Sequence, residues 1–461
     1  MQSETQRARS AAPDAGVPSW RLAAYALPAV GLAMLSGPIV VFLPNFYATQ
    51  QGLTLALVGA IFFAARLWDG ISDILVGLAS DGTRSIWGRR HPWIVFATPV
   101  LCLAVLVLLN PPDGAGPVFL FLGLIVTYTA WTAIQVPYLA WGAAISSDHD
   151  VRGRIFGMRE VATVIGSLGT VLLPYVVMGV ASPPLSDVLH VLGLSIVLIL
   201  AVSIPSALLL GPVAANDRGG MPVAREALLQ VLRNGPFLHA LGIAFVTTLA
   251  LLVFTAGVLF FINNALQMQA WFLQLLLMQQ VATMICVPFI LVSARRFGRH
   301  RTLAAGCVGA ALGLTGMACL PAGNFFLTCI PMVIVGCSAG AMFVLVPALA
   351  ADAIDYGRLR GLSAQNGLYM SVLSLVTKLG TAVAIAVALP VLQWLGFKPA
   401  EPVSPDGYRA LVLVTLALPA VLLLGGAVMA WRHPIDRLRH DAILRRLKKR
   451  EARLAQHEDV T

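Results

Sequence analysis

Apolar runs about as long as a bilayer is thick recur along nearly the whole chain, broken by short polar segments rich in Gly, Pro, Asn and Arg. A hydrocarbon core of roughly 30 Å takes about 20 helical residues. Placed between the breakers, the runs predict spans near 22–46, 54–78, 92–110, 116–142, 156–181, 187–212, 235–264, 270–293, 302–320, 325–350, 365–396 and 407–432. The expected fold is an all-α polytopic membrane protein of twelve transmembrane helices, with little chain left for a soluble domain.

Positive charge orients these spans. The loops after even-numbered spans hold Arg84, Arg89, Arg90, Arg152, Arg154, Arg218, Arg225, Arg233, Arg295, Arg296, Arg299, Arg301, Arg358 and Arg360. The opposite loops are nearly bare of it, Lys398 being the main exception, so the positive-inside rule places both termini in the cytoplasm of a multi-pass inner-membrane protein. The segment SDGTRSIWGRRHPW after span 2 is echoed by VSARRFGRHR after span 8, with Gly88 and Gly298 in equivalent places before basic residues. Two six-helix halves follow: 21–212 and 235–432, joined by a cytoplasmic loop at 213–234. Parallel halves around a midplane site are the architecture expected for alternating access. Residues 1–20 lack a signal-peptide pattern and read as a disordered cytoplasmic lead. The basic tail, 433–461, either lies on the anionic cytoplasmic leaflet or is a solvated charged segment.

Composition agrees with the span pattern. Hydrophobic residues make up 58% of the chain and charged residues only 11%, with a mean hydropathy of +0.83. Soluble domains carry roughly 25% charged residues. The net charge of +10 sits in loops and tail rather than on a basic domain, so topology accounts for it and nucleic acid is excluded as a partner. Cys102, Cys286, Cys307, Cys319, Cys329 and Cys337 fall in apolar runs without C-x-x-C or metal spacing, which points to packing rather than to a disulfide framework or zinc. No phosphate-binding G-x-x-x-x-G-K-[ST] run, metal cluster or nucleophile constellation appears, so neither ATP, nor a cofactor, nor enzymatic chemistry is indicated.

The chemistry concentrates in span 2. A charge at mid-bilayer costs on the order of 3 kcal/mol even on lenient scales, and the run AARLWDGISDILVGLASD holds Arg66, Asp69 and Asp73 at i, i+3 and i+7 on one helical face. Two carboxylates one turn apart repel, and burial penalises their charges, so the pair calls for a bound proton or a metal cation. A hard ion such as Na+ takes several oxygen ligands, and Ser72 and Thr132 of span 4 are the hydroxyls to complete the shell. The alternative is a structural ion pair with Arg66, but one arginine cannot neutralise two acids. On span 4, Tyr128, Trp131, Gln135 and Tyr138 form an aromatic and amide stripe, either helix packing or the wall of a cavity for a polar organic solute. Arg159 enters span 5 beside Glu160. Lys378 stands near the middle of span 11 with no acid within a turn, so it either meets a carboxylate from another helix or faces a wet cavity.

Four stretches together resemble the glycoside/pentoside/hexuronide:cation symporters, the melibiose-permease-like family of the major facilitator superfamily: RLWDGISDILVGLASDGTRSIWGRRHPW (66–93), VPYLAW with DVRGRIFGMRE (136–160), ADAIDYG (351–357) and VTKLG (376–380). They keep their order along most of the chain. The resemblance implies a twelve-helix major facilitator fold and a small organic solute, such as a sugar or glycoside, moved together with H+ or Na+. It places the cation at Asp69, Ser72, Asp73 and Thr132, and the solute at Gln135 and Arg159, with Tyr128, Trp131 and Lys378 as further candidates. The run from Gly77 to Arg90 resembles the superfamily's cytoplasmic gating motif. Asp81, Arg84, Arg89 and Arg90 would act there, with Asp352 and Asp355 as the counterpart on the other half.

The pattern also departs from the family. Span 1 has no acid where galactoside carriers hold sugar, Gln135 replaces a second such acid, and Ser72 stands where the Na+-using permease has asparagine. The solute is then a sugar, a less polar compound, or an anion met by Arg159 and Lys378. The rival readings are an exporter or lipid-type carrier of the same fold, an integral membrane enzyme, and a transport-inactive receptor. The enzyme lacks catalytic residues in this sequence, and a receptor has no need of both carboxylates.

Overall fold

The computed structural model describes residues 18–447 except positions 84, 86, 113, 146–148, 179–183, 213–228, 230, 363–365, 400, 437, 441 and 444. Arg84, the side chain of Asp81, the lead up to residue 17, most of the 213–234 loop and the tail beyond residue 447 lie outside the described residues. Every described element is helical: α1 (Ser19–Thr49), α2 (Leu55–Gly82), α3 (His91–Leu109), α4 (Pro117–Ala144), α5 (His149–Met178), α6 (Leu185–Leu210), α7 (Gly235–Ala265), α8 (Phe272–Phe297), α9 (Arg299–Ala318), α10 (Phe325–Leu359), α11 (Asn366–Trp394) and α12 (Pro405–Trp431).

Among the described residues, eleven helical stretches are long and apolar enough to cross a membrane. The remaining helix, α9, has 20 residues, but Arg299, His300, Arg301 and its glycines dilute its apolar run. Local sequence sets the helix starts. Side chains of Thr54, Asn234, Asn324 and Ser404 accept hydrogen bonds from backbone N–H groups three residues on, satisfying donors that have no intrahelical partner. Pro92, Pro117, Pro236 and Pro405 stand in first turns, where a missing N–H costs nothing. Gly88 and Gly298, the echoed glycines, have φ of +83° and +93° just ahead of α3 and α9, a backbone conformation that side chains resist.

In lipid, helices associate through close packing rather than through the hydrophobic effect, so small residues mark the crossings. A Cβ on Gly166 of α5 would lie 2.1 Å from the Val30 carbonyl oxygen of α1, and one on Gly336 of α10 would lie 2.3 Å from the Gln279 carbonyl oxygen of α8. Thr170 adds a hydrogen bond from α5 to the Met34 carbonyl of α1, at 3.0 Å. Further packing joins α2 to α4, α3 to α4 and α6, α7 to α11 and α12, and α9 to α10 and α12. The first six helices meet the last six mainly through α2 with α11 and α5 with α8. Large apolar side chains such as Phe96, Leu198, Leu312 and Phe343 are exposed around the outside, as a lipid-facing surface requires.

One cysteine expectation is corrected. Cys286 of α8 and Cys337 of α10 form a disulfide with Cα atoms 5.2 Å apart. The close α8–α10 crossing at Gly336 brings them together, and a sequence separation of 51 positions hid the pairing from the sequence. Cys102, Cys307, Cys319 and Cys329 remain free thiols.

Candidate cation and solute site

Three helices, α2, α4 and α11, build one polar cluster inside the bundle. The long apolar run of α2 places Arg66, Asp69 and Asp73 on the face that packs on α4 and α11. Arg66 Nη1 donates to Asp69 Oδ2 at 3.2 Å, and its guanidinium lies over the Tyr128 ring of α4 at 4.5 Å. Lys378 of α11 answers the question its isolation raised: its Nζ sits 2.5 Å from Asp73 Oδ2 and 3.1 Å from Asp69 Oδ2. Asp69 is 1% exposed. Two carboxylates therefore face two cations, and the cluster balances in charge through a bond between α2 and α11.

Thr132 of α4 closes the other side. Its hydroxyl lies 3.1 Å from Asp69 Oδ1 and 3.0 Å from Asp73 Oδ1. A hydroxyl has one proton to donate, so it serves one carboxylate at a time. The second contact becomes favourable when that carboxyl is protonated, or when a cation sits between the three oxygens. Ser72 is not brought to the pair, because its hydroxyl donates to the Asp69 backbone carbonyl at 2.9 Å. Trp68, which the sequence reading passed over, donates to Thr129 at 2.8 Å and braces α2 against α4 beside the cluster.

The α4 stripe divides. Tyr128 and Trp131 stack at 6.3 Å, and Tyr128 Oη, Trp131 Nε1 and Gln135 Oε1 are buried without a hydrogen-bond partner among the described residues. Their spacing keeps them on the face that carries Thr132. Tyr138 is packing instead: it stacks on Tyr25 of α1 at 4.7 Å, and the two tyrosines exchange hydroxyl-to-carbonyl bonds at 2.6 and 3.2 Å. Arg159 joins that end of the helix rather than the carboxylates, 5.9 Å from the Tyr138 ring centre and 3.9 Å from Glu160.

Of the candidate gating residues, Arg90, Asp352 and Asp355 sit at arginine-rich helix ends. Arg90 donates to the Ala140 carbonyl at 2.5 Å and ties the start of α3 to α4. Asp352, 6% exposed near the end of α10, pairs with Arg299 at the start of α9. His440 of the tail stands 3.3 Å from both Asp352 and Asp355, and Arg358 lies 3.8 Å from Asp355. At the opposite end, Gln393 of α11 accepts from the Ala56 N–H at 2.7 Å, a Cβ on Gly59 would lie 2.9 Å from Pro390, and Phe42 meets Phe272 edge-on at 6.2 Å.

A helical bundle with lipid-facing walls and a charge-balanced polar cluster at its centre defines a membrane transporter. The chain belongs to the MFS/sugar transport family, whose model matches residues 24–437. It is 25% identical over 417 residues to human sodium-dependent lysophosphatidylcholine symporter 1, covering 82% of this chain and 76% of the relative. It is 24% identical to the glucuronide carrier protein homolog of Escherichia coli, covering 90% and 93%. With the isoprimeverose transporter of Lactiplantibacillus pentosus the identity is 23%, covering 86% and 85%. The fold is similar to the crystal structure of the nucleoside transporter NupG, with a TM-score of 0.65, 11% identity and coverage of 89% and 98%. It is also similar to the inward open xylose transporter of Escherichia coli, with a TM-score of 0.63, 12% identity and coverage of 91% and 96%.

Proposed function

We propose that this chain is a secondary active symporter that couples H+ or Na+ to the movement of a small organic solute by alternating access. In this reading it has twelve transmembrane helices in two six-helix halves, residues 21–212 and 235–432. Both termini lie in the cytoplasm, the 213–234 loop joins the halves, and the membrane is the inner one. The observation that carries the reading is the bond from Lys378 to both Asp69 and Asp73, with Thr132 across from it.

That arrangement supplies a coupling device. Without a bound cation, Lys378 of the second half and Arg66 of the first together neutralise the two carboxylates. A cation entering between Asp69, Asp73 and Thr132 takes over that charge and weakens the link between the halves. Solute binding and cation binding are then coupled because both alter one equilibrium, and the coupling is reciprocal. Solute would fill the space beside α4, where Tyr128, Trp131 and Gln135 present buried polar atoms in need of partners. With the arginine-rich ends cytoplasmic, the Phe42–Phe272 and Ala56–Gln393 contacts seal the outer side. Asp352 and Asp355 would then belong to the inner gate, together with Asp81, Arg84, Arg89 and Arg90.

Uptake into proteoliposomes, with imposed Na+ or proton gradients and a panel of glycosides, organic acids and lysolipids, tests this. Accumulation should follow one gradient and vanish in Asp69→Asn and in Asp73→Asn. Gradient-dependent uptake that survives both substitutions together sinks the coupling scheme. A second reading, a carrier of amphipathic lipid-type solutes, has its own support. Ile39, Phe42 and Phe46 bury an apolar α1 that offers no acid to a sugar hydroxyl, and the human relative is named for lysophosphatidylcholine. Within the panel, preference for lysolipid over every glycoside decides for it.

A further inference from the structure

The tail after α12 folds back onto the bundle. Ile435 and Ile443 are buried, whereas Leu438 between them is exposed, and His440 ties the segment to Asp352 and Asp355 of α10. Between the tail, the end of α10 and the start of α7 lies a cavity of about 420 Å³. Arg360, Arg439 and Arg446 line it together with Tyr356, and its remaining walls are apolar. No acidic residue lines it among the described residues.

Three guanidinium groups around one cavity repel each other, and an anion between them removes that cost. Their forked donors match the oxygens of a phosphate group. Arg360 lies over the Tyr356 ring at 5.3 Å, an arrangement that leaves its N–H edge for a ligand. Arg439 donates from Nη1 to the Pro434 carbonyl at 2.7 Å, which fixes its direction while its other donors stay available. The apolar walls, Ile435 and Ile443 among them, are unnecessary for a bare ion and suit the glycerol and upper acyl region of an amphiphile. Basic pockets at helix ends beside an anionic leaflet are the setting in which lipid headgroups are recognised.

We propose that this cavity binds the phosphate group of an anionic phospholipid and that the bound headgroup clamps the C-terminal tail to α10. The inference does not depend on which solute or cation is carried. A soluble phosphate ester would offer the same phosphate chemistry, so the test separates the two sources.

The full-length protein in phosphatidylcholine nanodiscs is titrated with short-chain phosphatidylglycerol, and in parallel with inorganic phosphate, while hydrogen exchange is followed across residues 434–447. Saturable protection by phosphatidylglycerol is expected. A charge beside an anionic headgroup is worth about fivefold in affinity, so Arg360→Gln, Arg439→Gln and Arg446→Gln combined should weaken binding about a hundredfold. Arg296→Gln, Arg432→Gln and Arg445→Gln combined, outside the cavity, should weaken it by only about threefold at physiological salt. Helix content by circular dichroism confirms that both variants fold. Equal protection by inorganic phosphate, lost in the cavity variant, would assign the same site to soluble phosphates. Absence of saturable protection in both arms overturns the proposal, as does an equal loss in the two triple variants.

Discussion

Replacing Lys378 with alanine removes the ammonium that α11 contributes to the α2 carboxylates. With Nζ at 2.5 Å from Asp73 and 3.1 Å from Asp69, each gross attraction is roughly 5–7 kcal/mol at an effective dielectric of about 20. Desolvation offsets most of that, and the lysine side chain is 28% exposed, so the net loss on deletion is nearer ~2–3 kcal/mol. Arg66 alone then faces two carboxylates, and one negative charge is left over. A proton or Na+ restores the balance and no longer competes with Nζ for the Oδ2 atoms. The apparent affinity for the coupling cation should rise by between about tenfold and a hundredfold, while the link between α2 and α11 is lost. Thermal unfolding of the purified protein, measured over a series of Na+ concentrations at fixed pH and over a pH series without Na+, reads this directly. The variant should be less stable than the parent without cation and should saturate at lower cation concentration. An unchanged or weaker cation dependence would refute the idea that Lys378 and the cation share one charge position.

Thr132→Val keeps the shape of the side chain but removes the hydroxyl between Asp69 and Asp73; cation affinity should fall about fivefold to tenfold, measured by the same unfolding titration, with Thr132→Ser restoring it. Gly336→Val drives a side chain into the Gln279 carbonyl, a backbone atom that cannot turn aside; a loss of about 3 kcal/mol or more is expected in thermal unfolding, against little change for Gly425→Ala, whose Cβ meets nothing within 4 Å. His433, just beyond α12, is lowered to about 4 by burial. It binds fewer protons folded than unfolded between about pH 6.5 and pH 4, so its contribution of roughly 3 kcal/mol is present above that window and lost as pH falls through it. Hydrogen exchange across residues 434–447 should rise on acidification through that range, and His433→Phe should flatten the response.

The one-dimensional pattern was enough to show a helical membrane protein, roughly where each helix lies, and an acidic pair, Asp69 and Asp73, inside the second span. Those properties are local: a run of apolar residues must close its hydrogen bonds within one helix, and carboxylates at i and i+4 must share a face. The echo of Gly88 in Gly298 was legible for the same reason, since both stand where the backbone turns to positive φ ahead of a helix. Packing between helices resolved what the local pattern left open. Lys378 could have met a carboxylate or water, and only the packing of α11 on α2 brings it to Asp69 and Asp73 across 305 positions of chain. Ser72 beside the pair and Thr132 from span 4 were both candidate hydroxyls for the shell, but the Ser72 hydroxyl turns to its own helix while Thr132 crosses between two. Tyr138 continued the α4 stripe in sequence, yet α1 supplies the tyrosine that makes it packing. The Cys286–Cys337 bond and the arginine cavity under the tail had no sequence signal at all. Each depends on where helices cross, and crossings are set by glycine surfaces and carbonyl approaches that a one-dimensional pattern of apolar and polar positions does not encode.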